Sequence, residues 1–383
     1  SHLRWTLDTE EDYTFLNKLS KKLDINFNWI EAISLLTKEA SLLSWNRNIN
    51  YRKGALNLKE IKQKQEYKLY SNSNILFDKA IEAIPLASQT FSKSYQQYSK
   101  GAAPLFVDRA KGARLIDIDG NEYIDYVSGL LPIILGYCDP DVDSKIIDQL
   151  GKGITFSLAS ELEYQLAEKF INLIPSAEMV RFGKNGSDAT SAAIRLSRAY
   201  TGRNMIAVAG YHGWHDWYIG ATSRDLGVPK EVKSLTTKFS YDDLENLTKQ
   251  LETHSYAAVI LEPYFQENKI SNILKVIRDI TYKTGTLLIF DEIISGFRIN
   301  IGGAQSEYNI TPDISTFGKS MANGMPISAI VGKKNIMSKM NEIFFSSTFG
   351  GEALSLAASI ETINKIQRTD AINKMKNIGD KLI

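Results

Sequence analysis

Short apolar runs alternate with longer amphipathic segments over most of the chain beyond residue 105. The runs with the length of buried strands lie at residues 205–209, 257–261, 286–290, 314–317 and 327–331. Apolar residues recur at helical spacing at residues 161–173, 188–200, 241–252 and 270–284. Parallel strands need crossover connections, so this alternation predicts an α/β fold with a mostly parallel sheet covered by helices on both faces.

Other patterns lie outside this alternation. Residues 114–126 form two alternating runs separated by Asp119, Gly120 and Asn121, which predicts a β-hairpin. Residues 4–47 have a helical pattern with polar, cap-type residues at positions 8–12, and the polar stretch 48–74 has the composition of a linker. Apolar spacing at residues 372–383 also indicates a helix, and we expect the chain to be a fragment at both ends.

Composition and charge narrow the possible partners. Lys and Arg total 45 against 44 for Asp and Glu, so neither nucleic acid nor an anionic membrane surface is an expected partner. The single cysteine, Cys138, excludes an intrachain disulfide and fits a cytoplasmic protein. No apolar run has the length of a membrane span, since Asp125, Gly129 and Gly136 interrupt the most apolar stretch.

Charged residues follow two of the predicted strands directly. Asp291 and Glu292 come after the apolar run 286–290, where an unpaired carboxylate is costly to bury. Lys319 comes just after the run 314–317, where desolvation could lower its pKa and make the neutral amine a nucleophile. A structural ion pair and a solvated loop lysine explain the same two patterns without any chemistry.

Two further segments contain residues that could bind a cofactor. Gly186 and Ser187 lead into a predicted helix, where exposed amide groups and the helix dipole favour a phosphate group. An ordinary helix cap accounts for the same residues. An aromatic cluster at residues 210–217 follows the strand 205–209, and an aromatic ring there could stack on a flat cofactor or simply pack in a core or subunit contact.

Taken together, these segments resemble the class III, fold-type I aminotransferases that depend on pyridoxal 5'-phosphate (PLP), most closely the group around glutamate-1-semialdehyde aminomutase. The resemblance covers about residues 75–383. The motifs that carry it lie at residues 186–190, 211–213, 290–298, 312–313, 317–319 and 347–351. It implies the fold-type I PLP-transferase architecture, a mostly parallel seven-stranded sheet with helices on both faces and a partial small domain.

The resemblance also implies roles for individual residues. Lys319 is expected to hold PLP as a Schiff base and to carry the proton at the substrate α-carbon, while Asp291 pairs with the pyridine nitrogen, which keeps the ring an electron acceptor. Tyr211 is expected to stack on one face of the ring. The remaining residues of the expected cofactor site are Gly186 and Ser187 at the phosphate, His212 beside Tyr211, Ile293 on the other ring face, and Thr348, which reaches the phosphate of the neighbouring subunit in a homodimer.

By the same resemblance, residues 75–150 form the amino-terminal segment of the aminotransferase, 151–360 its large PLP-binding domain and 361–383 the start of a truncated small domain. The chain departs from the family where Leu130 and Leu131 stand in a stretch that tends to contain tryptophan in aminomutases. The loop after Glu262 and Pro263 lacks the family's usual glycines. Both departures lie where substrate contacts are expected.

The amino-terminal residues 1–47 resemble the tail of cytidylyltransferases that activate acidic sugars for surface polysaccharides. The resemblance is carried by residues 3–13, in which Asp8 occupies the place of an aspartate that helps to hold magnesium. A capped helix explains the motif equally well. With the rest of such a domain absent, we expect no functional metal site.

The leading hypothesis is therefore transfer of an amino group between an amino donor and an oxo acceptor, with an intramolecular amino shift as the alternative within the same fold. A third hypothesis, of a different functional class, is a non-catalytic partner protein that kept the fold. The presence of both Lys319 and Asp291 argues against it. A nicotinamide-dependent oxidoreductase is disfavoured because no G-x-G-x-x-G motif follows an early strand.

Overall fold

The computed structural model describes residues 17–18, 21–22, 35, 69–264 and 270–382. The chain divides into two units, Ser1–Ser71 and Asn72–Ile383, and nearly all of the described residues lie in the second. The predicted amino-terminal helical segment and nearly all of the predicted linker lie outside the described residues. The domain boundaries inside residues 75–383 stay predictions.

In the described part of the chain, ten strands form two sheets. The strands are β1 (Val107–Lys111), β2 (Arg114–Asp117), β3 (Glu122–Ile124), β4 (Met179–Gly183), β5 (Met205–Ala209), β6 (Thr236–Lys238), β7 (Tyr256–Leu261), β8 (Leu287–Asp291), β9 (Ile314–Phe317) and β10 (Ser328–Gly332). Strands β1 to β3 form a small antiparallel sheet. The other seven form the main sheet in the order β4-β10-β9-β8-β7-β5-β6.

The α-helices of the described residues are α1 (Ser71–Ala83), α2 (Pro140–Leu150), α3 (Glu161–Leu173), α4 (Gly186–Thr201), α5 (Asp216–Ile219), α6 (Lys230–Lys233), α7 (Leu244–Thr253), α8 (Ile270–Thr284), α9 (Ala304–Tyr308), α10 (Lys334–Met337), α11 (Ala353–Thr369) and α12 (Ala371–Leu382). Short 3-10 turns occupy Pro85–Ala87, Phe91–Lys93, Lys319–Ala322 and Ser338–Asn341.

The main sheet is parallel except for β10. Strands β6, β5, β7, β8 and β9 pair in parallel, whereas β10 runs antiparallel to both β9 and β4. The predicted mostly parallel, seven-stranded sheet is therefore confirmed. In this arrangement the carboxyl ends of β5, β7, β8 and β9 lie along one edge, where sites in such sheets form.

Both faces of the sheet are covered by helices, because its central strands are apolar on both sides. Ile289 packs in a cluster with residues of α4 and α10, whereas Leu288 and Phe290 pack on the opposite face with residues of α7 and α8. On the same side as α7 and α8, the antiparallel end of the sheet packs against α2, α3 and α11. Strands buried on both faces are consistent with the continuous apolar runs in the sequence.

The structure confirms the predicted hairpin, as β2 and β3 joined by a turn at Gly120, and the predicted helix at the end of the chain, as α12. Sequence analysis missed β1, β4 and β6. Strand β4 carries Arg181 in its centre and β6 has three residues, so neither has the apolar run of a buried strand. Within the described part of the chain, no helix combines the length and apolarity needed to cross a bilayer.

Candidate active site

Asp291, the last residue of β8, is 3% exposed and is paired with His212. His212 Nδ1 lies 2.7 Å from Asp291 Oδ2, and His212 Nε2 lies 3.1 Å from the carbonyl oxygen of Ala209. That carbonyl can only accept, so Nε2 carries a hydrogen. His212 and Asp291 therefore form a buried, hydrogen-bonded pair at the end of the sheet.

The other oxygen of Asp291 is also held in place. The Ile293 amide donates to Asp291 Oδ1 at 3.2 Å, and the Thr316 hydroxyl of β9 donates to the same atom at 3.3 Å. With contacts from the loop after β8, from β9 and from the loop after β5, the carboxyl group has a single orientation. A buried, oriented carboxylate is suited to pairing with a cationic ring nitrogen.

The neighbouring carboxylate, Glu292, points elsewhere and has a structural role. It is fully buried, and its oxygens accept hydrogen bonds from the Ser295 hydroxyl and from the amides of Ala304 at 2.8 Å and Gln305 at 3.0 Å. Burial raises the pKa of the Glu292 carboxyl, which these hydrogen bonds partly offset. Glu292 thus stabilises the start of α9, and only Asp291 of the pair lies at the site.

Lys319 begins the 3-10 turn that follows β9, with a positive φ of 38°. Burial lowers the pKa of its amine, whereas the negative charges of Asp291 and Glu262 act in the opposite direction, and the positive charge of Arg298 lowers the pKa further. The net shift is downward. A larger fraction of this amine is therefore neutral, and nucleophilic, near neutral pH than for an exposed lysine.

The predicted phosphate cradle lies at the start of α4, where Gly186 is the first helical residue. Asn185 and Asp188 form a capping box, and Asp188 Oδ2 accepts from the Asn185 amide at 2.8 Å. Ser187 is buried, and its hydroxyl oxygen accepts from the Trp214 amide at 3.3 Å. The helix start and the aromatic loop are thus in direct contact.

The glycines at this point permit that close approach. A β-carbon on Gly186 would lie 2.7 Å from Ile293 Cδ1, and one on Gly213 would lie 2.2 Å from Ser187 Oγ. Ile293 also lies close to Gly318, where a β-carbon would be 3.6 Å from Ile293 Cγ2. Ile293 therefore lies between the start of α4 and the turn that carries Lys319.

The aromatic loop after β5 places two neighbouring residues in different environments. His212 is buried and stacks on Trp217, with ring centroids 6.3 Å apart and an interplanar angle of 19°. Tyr211 is 60% exposed, and the edge of its ring contacts Tyr218 at a centroid distance of 5.6 Å. Tyr211 therefore leaves part of its ring available to a ligand, whereas His212 faces Asp291 inside the protein.

Glu262 is a site residue that sequence analysis missed. It follows β7 directly, and its Oε2 accepts from the Tyr211 amide at 2.8 Å. Burial raises the pKa of the Glu262 carboxyl, the Tyr211 amide counteracts that shift, and the charges of Asp291 and Lys319 also act on it. The rule that drew attention to Asp291, a carboxylate immediately after a buried strand, applies equally to Glu262.

The structure thus brings most of the predicted site residues to one edge of the sheet. The residues linked there by the contacts described above are Gly186, Ser187, Tyr211, His212, Asp291, Ile293 and Lys319. Thr348 is the exception, because it lies exposed in the segment between the turn Ser338–Asn341 and α11 and has no hydrogen bond to these residues within the described part of the chain. The site thus combines a desolvated amine, an oriented carboxylate and helix-start amides, a donor set that fits a flat phosphorylated aldehyde such as PLP.

We predict that Gly213→Ala weakens the binding of PLP by about tenfold or more, because the new methyl group would displace the Ser187 hydroxyl. Gly202→Ala is the matched control. Gly202 also has a positive φ, but a β-carbon there meets no heavy atom within 4 Å. The measurement is a dissociation constant from PLP titration, and equal affinities for the two variants would contradict the assignment of the cradle.

Comparison with known proteins is consistent with this geometry. The family model for class III aminotransferases matches residues 95–383. The 3-aminobutyryl-CoA aminotransferase of Cloacimonas acidaminovorans is 39% identical over 321 residues, covering 81% of this chain and 77% of that protein. The glutamate-1-semialdehyde 2,1-aminomutase of Saccharolobus islandicus (strain L.S.2.15 / Lassen #1) is 40% identical over 283 residues, covering 69% of this chain and 66% of that protein.

A solved structure agrees with the sequence relatives. The omega-transaminase from Sphaerobacter thermophilus matches with a TM-score of 0.69 and 30% identity, over 76% of this chain and 72% of that chain. The family match begins at residue 95, so it leaves the predicted cytidylyltransferase-like character of residues 1–47 untested. Over the matched residues, which are most of the chain, the protein belongs to the class III aminotransferases.

Proposed function

We propose that this chain is a PLP-dependent aminotransferase that moves an amino group from an amino donor to an oxo acceptor. The observation that carries the proposal is the arrangement of Lys319 and Asp291. The partly desolvated amine follows β9, and the buried carboxyl group paired with His212 ends the neighbouring strand β8. A lysine and an acid arranged in this way meet the two requirements of PLP chemistry.

Each residue of the site has a distinct role in this proposal. Lys319 would hold the cofactor through its amine and would carry the proton to and from the substrate α-carbon. Asp291, held by His212, would keep a proton on the pyridine nitrogen, and the amides at Gly186 and Ser187 would bind the phosphate. When bound, PLP would supply the electron sink for the pair left by the departing proton. Tyr211 and Ile293 would pack against the ring.

We further propose that the active site is completed in a homodimer. Thr348 is exposed, and so are its neighbours Phe344 at 79% and Phe349 at 57%. Exposed aromatic residues of this kind favour a subunit contact. In such a dimer Thr348 would bind the phosphate in the neighbouring subunit. The proposed partners are small molecules only, and we place the enzyme in the cytoplasm.

An intramolecular amino shift, as in glutamate-1-semialdehyde aminomutase, is the second candidate. One compared relative has that name and another is named an aminotransferase, at nearly equal identity. Leu130 and Leu131, which stand where aminomutases tend to have tryptophan, favour the aminotransferase. A role in surface-polysaccharide sugar metabolism rests only on the resemblance of residues 1–47. A non-catalytic role is disfavoured because the lysine and its acid are both retained.

Product analysis separates the two enzymatic candidates. The PLP-loaded protein is mixed with amino donors such as L-glutamate, L-alanine or 3-aminobutyrate, first without and then with pyruvate or 2-oxoglutarate. We expect at least one donor to bleach the visible cofactor band, and the oxo acid to restore it with formation of a new amino acid. Conversion of glutamate-1-semialdehyde to 5-aminolevulinate without any oxo acid would instead establish the amino shift. A band that responds to none of these compounds would contradict both.

A further inference from the structure

Arg298 occupies a central position that neither its motif nor the proposed chemistry explains. It lies in the loop after β8, directly after the buried Phe297, which has a positive φ of 57°. Its Nη2 atom donates to the carbonyl oxygen of Leu131 and, at 2.8 Å, to the hydroxyl of Ser320. Ser320 is fully buried and is the residue next to Lys319. The guanidinium therefore joins a distant segment to the turn that carries the reactive lysine.

The distant segment that contains Leu131 has an unusual backbone conformation. Residues 128–131, called here the mouth turn, all have positive φ values, of 51°, 65°, 73° and 76° in order. Only the second of these residues is glycine, and each of the others costs about 1–2 kcal/mol in this region. A run of strained residues persists only where its surroundings hold it in place.

Asp125 stabilises the mouth turn from its amino-terminal side by hydrogen bonds. Its Oδ1 accepts from the Val127 amide at 2.8 Å, and its Oδ2 accepts from the Gly129 amide at 3.2 Å and from the Tyr137 hydroxyl at 2.6 Å. These contacts lie within the segment itself. They stabilise its shape but do not determine where it lies relative to the lysine.

Three contacts connect residues 131–136 to the turn that carries Lys319. Arg298 bridges the Leu131 carbonyl oxygen and the Ser320 hydroxyl, as described above, and that hydroxyl also donates to the Leu131 carbonyl oxygen directly, at 3.5 Å. The third contact is Asn323, whose Oδ1 accepts from the amides of Ile134 at 3.0 Å and Leu135 at 2.9 Å, while its Nδ2 donates to the Gly136 carbonyl oxygen at 2.9 Å. Beside Lys319, the Arg298 guanidinium strengthens the connection because it binds Leu131 and Ser320 at once.

The charge of Arg298 also reaches the lysine. Within the described residues, no carboxylate lies within ion-pair distance of its guanidinium. Asp291 at the end of β8 and Glu262 after β7 favour the protonated form of Lys319, and Arg298 opposes them. Arg298 thus has two separable properties at this point, its hydrogen bonds and its charge.

We propose that Arg298 is a positioning residue, which acts through Leu131 and Ser320 to hold the mouth turn against the turn that carries Lys319. Residues 128–131, where the resemblance to the family places substrate contacts, and the amine of Lys319 then keep one relative position. Its charge in addition keeps a share of the amine neutral. This inference rests on the proposed role of Lys319.

The test compares Arg298→Gln, Arg298→Lys and Ser320→Ala, with Arg109→Gln as the control at an exposed arginine of β1. One readout is kcat and KM with the amino donor identified by product analysis. The other is made on protein without PLP, as the pH dependence of reductive methylation of Lys319 by formaldehyde with cyanoborohydride as the reductant, followed by peptide mass spectrometry. A purely structural role would leave the second readout unchanged in folded protein.

We expect Arg298→Gln to raise KM about tenfold, the effect of losing hydrogen bonds from a charged group, and to move the midpoint of Lys319 modification to higher pH. The direction follows because removing a positive charge favours the protonated amine. Arg298→Lys should raise KM as well, because a lysine lacks the planar fork, but leave the midpoint near that of the wild type. Arg109→Gln should change neither quantity.

Ser320→Ala keeps the test decisive if the Arg298 variants do not fold, because it removes only the bridging hydroxyl. It should raise KM with an unchanged midpoint. Folded Arg298→Gln with wild-type KM and midpoint, or Ser320→Ala with wild-type KM where no Arg298 variant folds, would overturn the inference. Failure of the proposed function is distinguishable, since then the wild type itself would form no visible band with PLP.

Discussion

Replacing Lys319 with alanine is expected to reduce turnover by at least about four orders of magnitude, because one side chain supplies both the covalent link and the proton carrier. Lys319 is the lysine whose pKa burial lowers at this edge of the sheet, and no second lysine acts on Asp291 or Glu262 through the contacts described. The visible band of lysine-bound PLP should disappear in the same variant.

The matched control for this substitution is Lys145→Ala, which removes an exposed lysine from α2. It should keep both the absorption band and the turnover of the wild type. The measurements are a spectrum after PLP loading and a rate with the best amino donor. If a Lys319→Ala protein free of wild-type contamination retained turnover, Lys319 would not be the lysine that binds PLP and carries the proton.

The second large effect is expected at Asp291. Asp291→Asn keeps the shape of the side chain but removes the charge that holds a proton on the pyridine nitrogen, and we expect turnover to fall by about three orders of magnitude. The contact with His212 Nδ1, which lies 2.7 Å from Asp291 Oδ2 in the wild type, is then made by an amide instead of a carboxyl group. Because the cofactor link depends on Lys319, the variant should still bind PLP covalently.

Glu292→Gln provides the comparison within the same dipeptide. Both Glu292 oxygens accept hydrogen bonds, so an amide nitrogen at one of them leaves donors facing each other and costs about 1–3 kcal/mol of stability. The expected outcome is a lower unfolding midpoint with turnover per folded molecule largely retained. If Glu292→Gln were the variant with the chemical defect and Asp291→Asn had only the stability defect, the assignment of the two carboxylates would be reversed.

Much of the fold could be predicted because it depends on short-range patterns. Strands buried on both faces are typically near-continuous apolar runs, and β5, β7, β8 and β10 largely have that form, whereas β9 carries Ser315 and Thr316 between two apolar residues. Edge strands carry no such requirement. Strand β4 accommodates Arg181 because it pairs on one side only, and its presence is decided by β10 rather than by its own residues.

The candidate site was predictable to the extent that its residues directly follow buried strands. That rule located Asp291 and Lys319, and applied fully it would also have located Glu262. The rule does not identify Arg298, because this residue does not directly follow a strand. Its partners are a backbone carbonyl 167 residues earlier in the chain and a hydroxyl 22 residues later. Every residue type has a backbone carbonyl, so a contact to one at such a separation cannot be predicted from the residue types involved.

The amino-acid sequence by itself determined the inner strands β5, β7, β8, β9 and β10, several of the helices and the residue types at the strand ends, because apolar periodicity and chain connectivity are local properties. The family resemblance named Asp291 rather than Glu292, but only the tertiary structure gives the physical reason for the difference. The two carboxylates are adjacent in the chain, but the amides at the start of α9 lie beside one and the imidazole of His212 beside the other. The partner that packing brings to each carboxylate, rather than its position in the chain, determines its role.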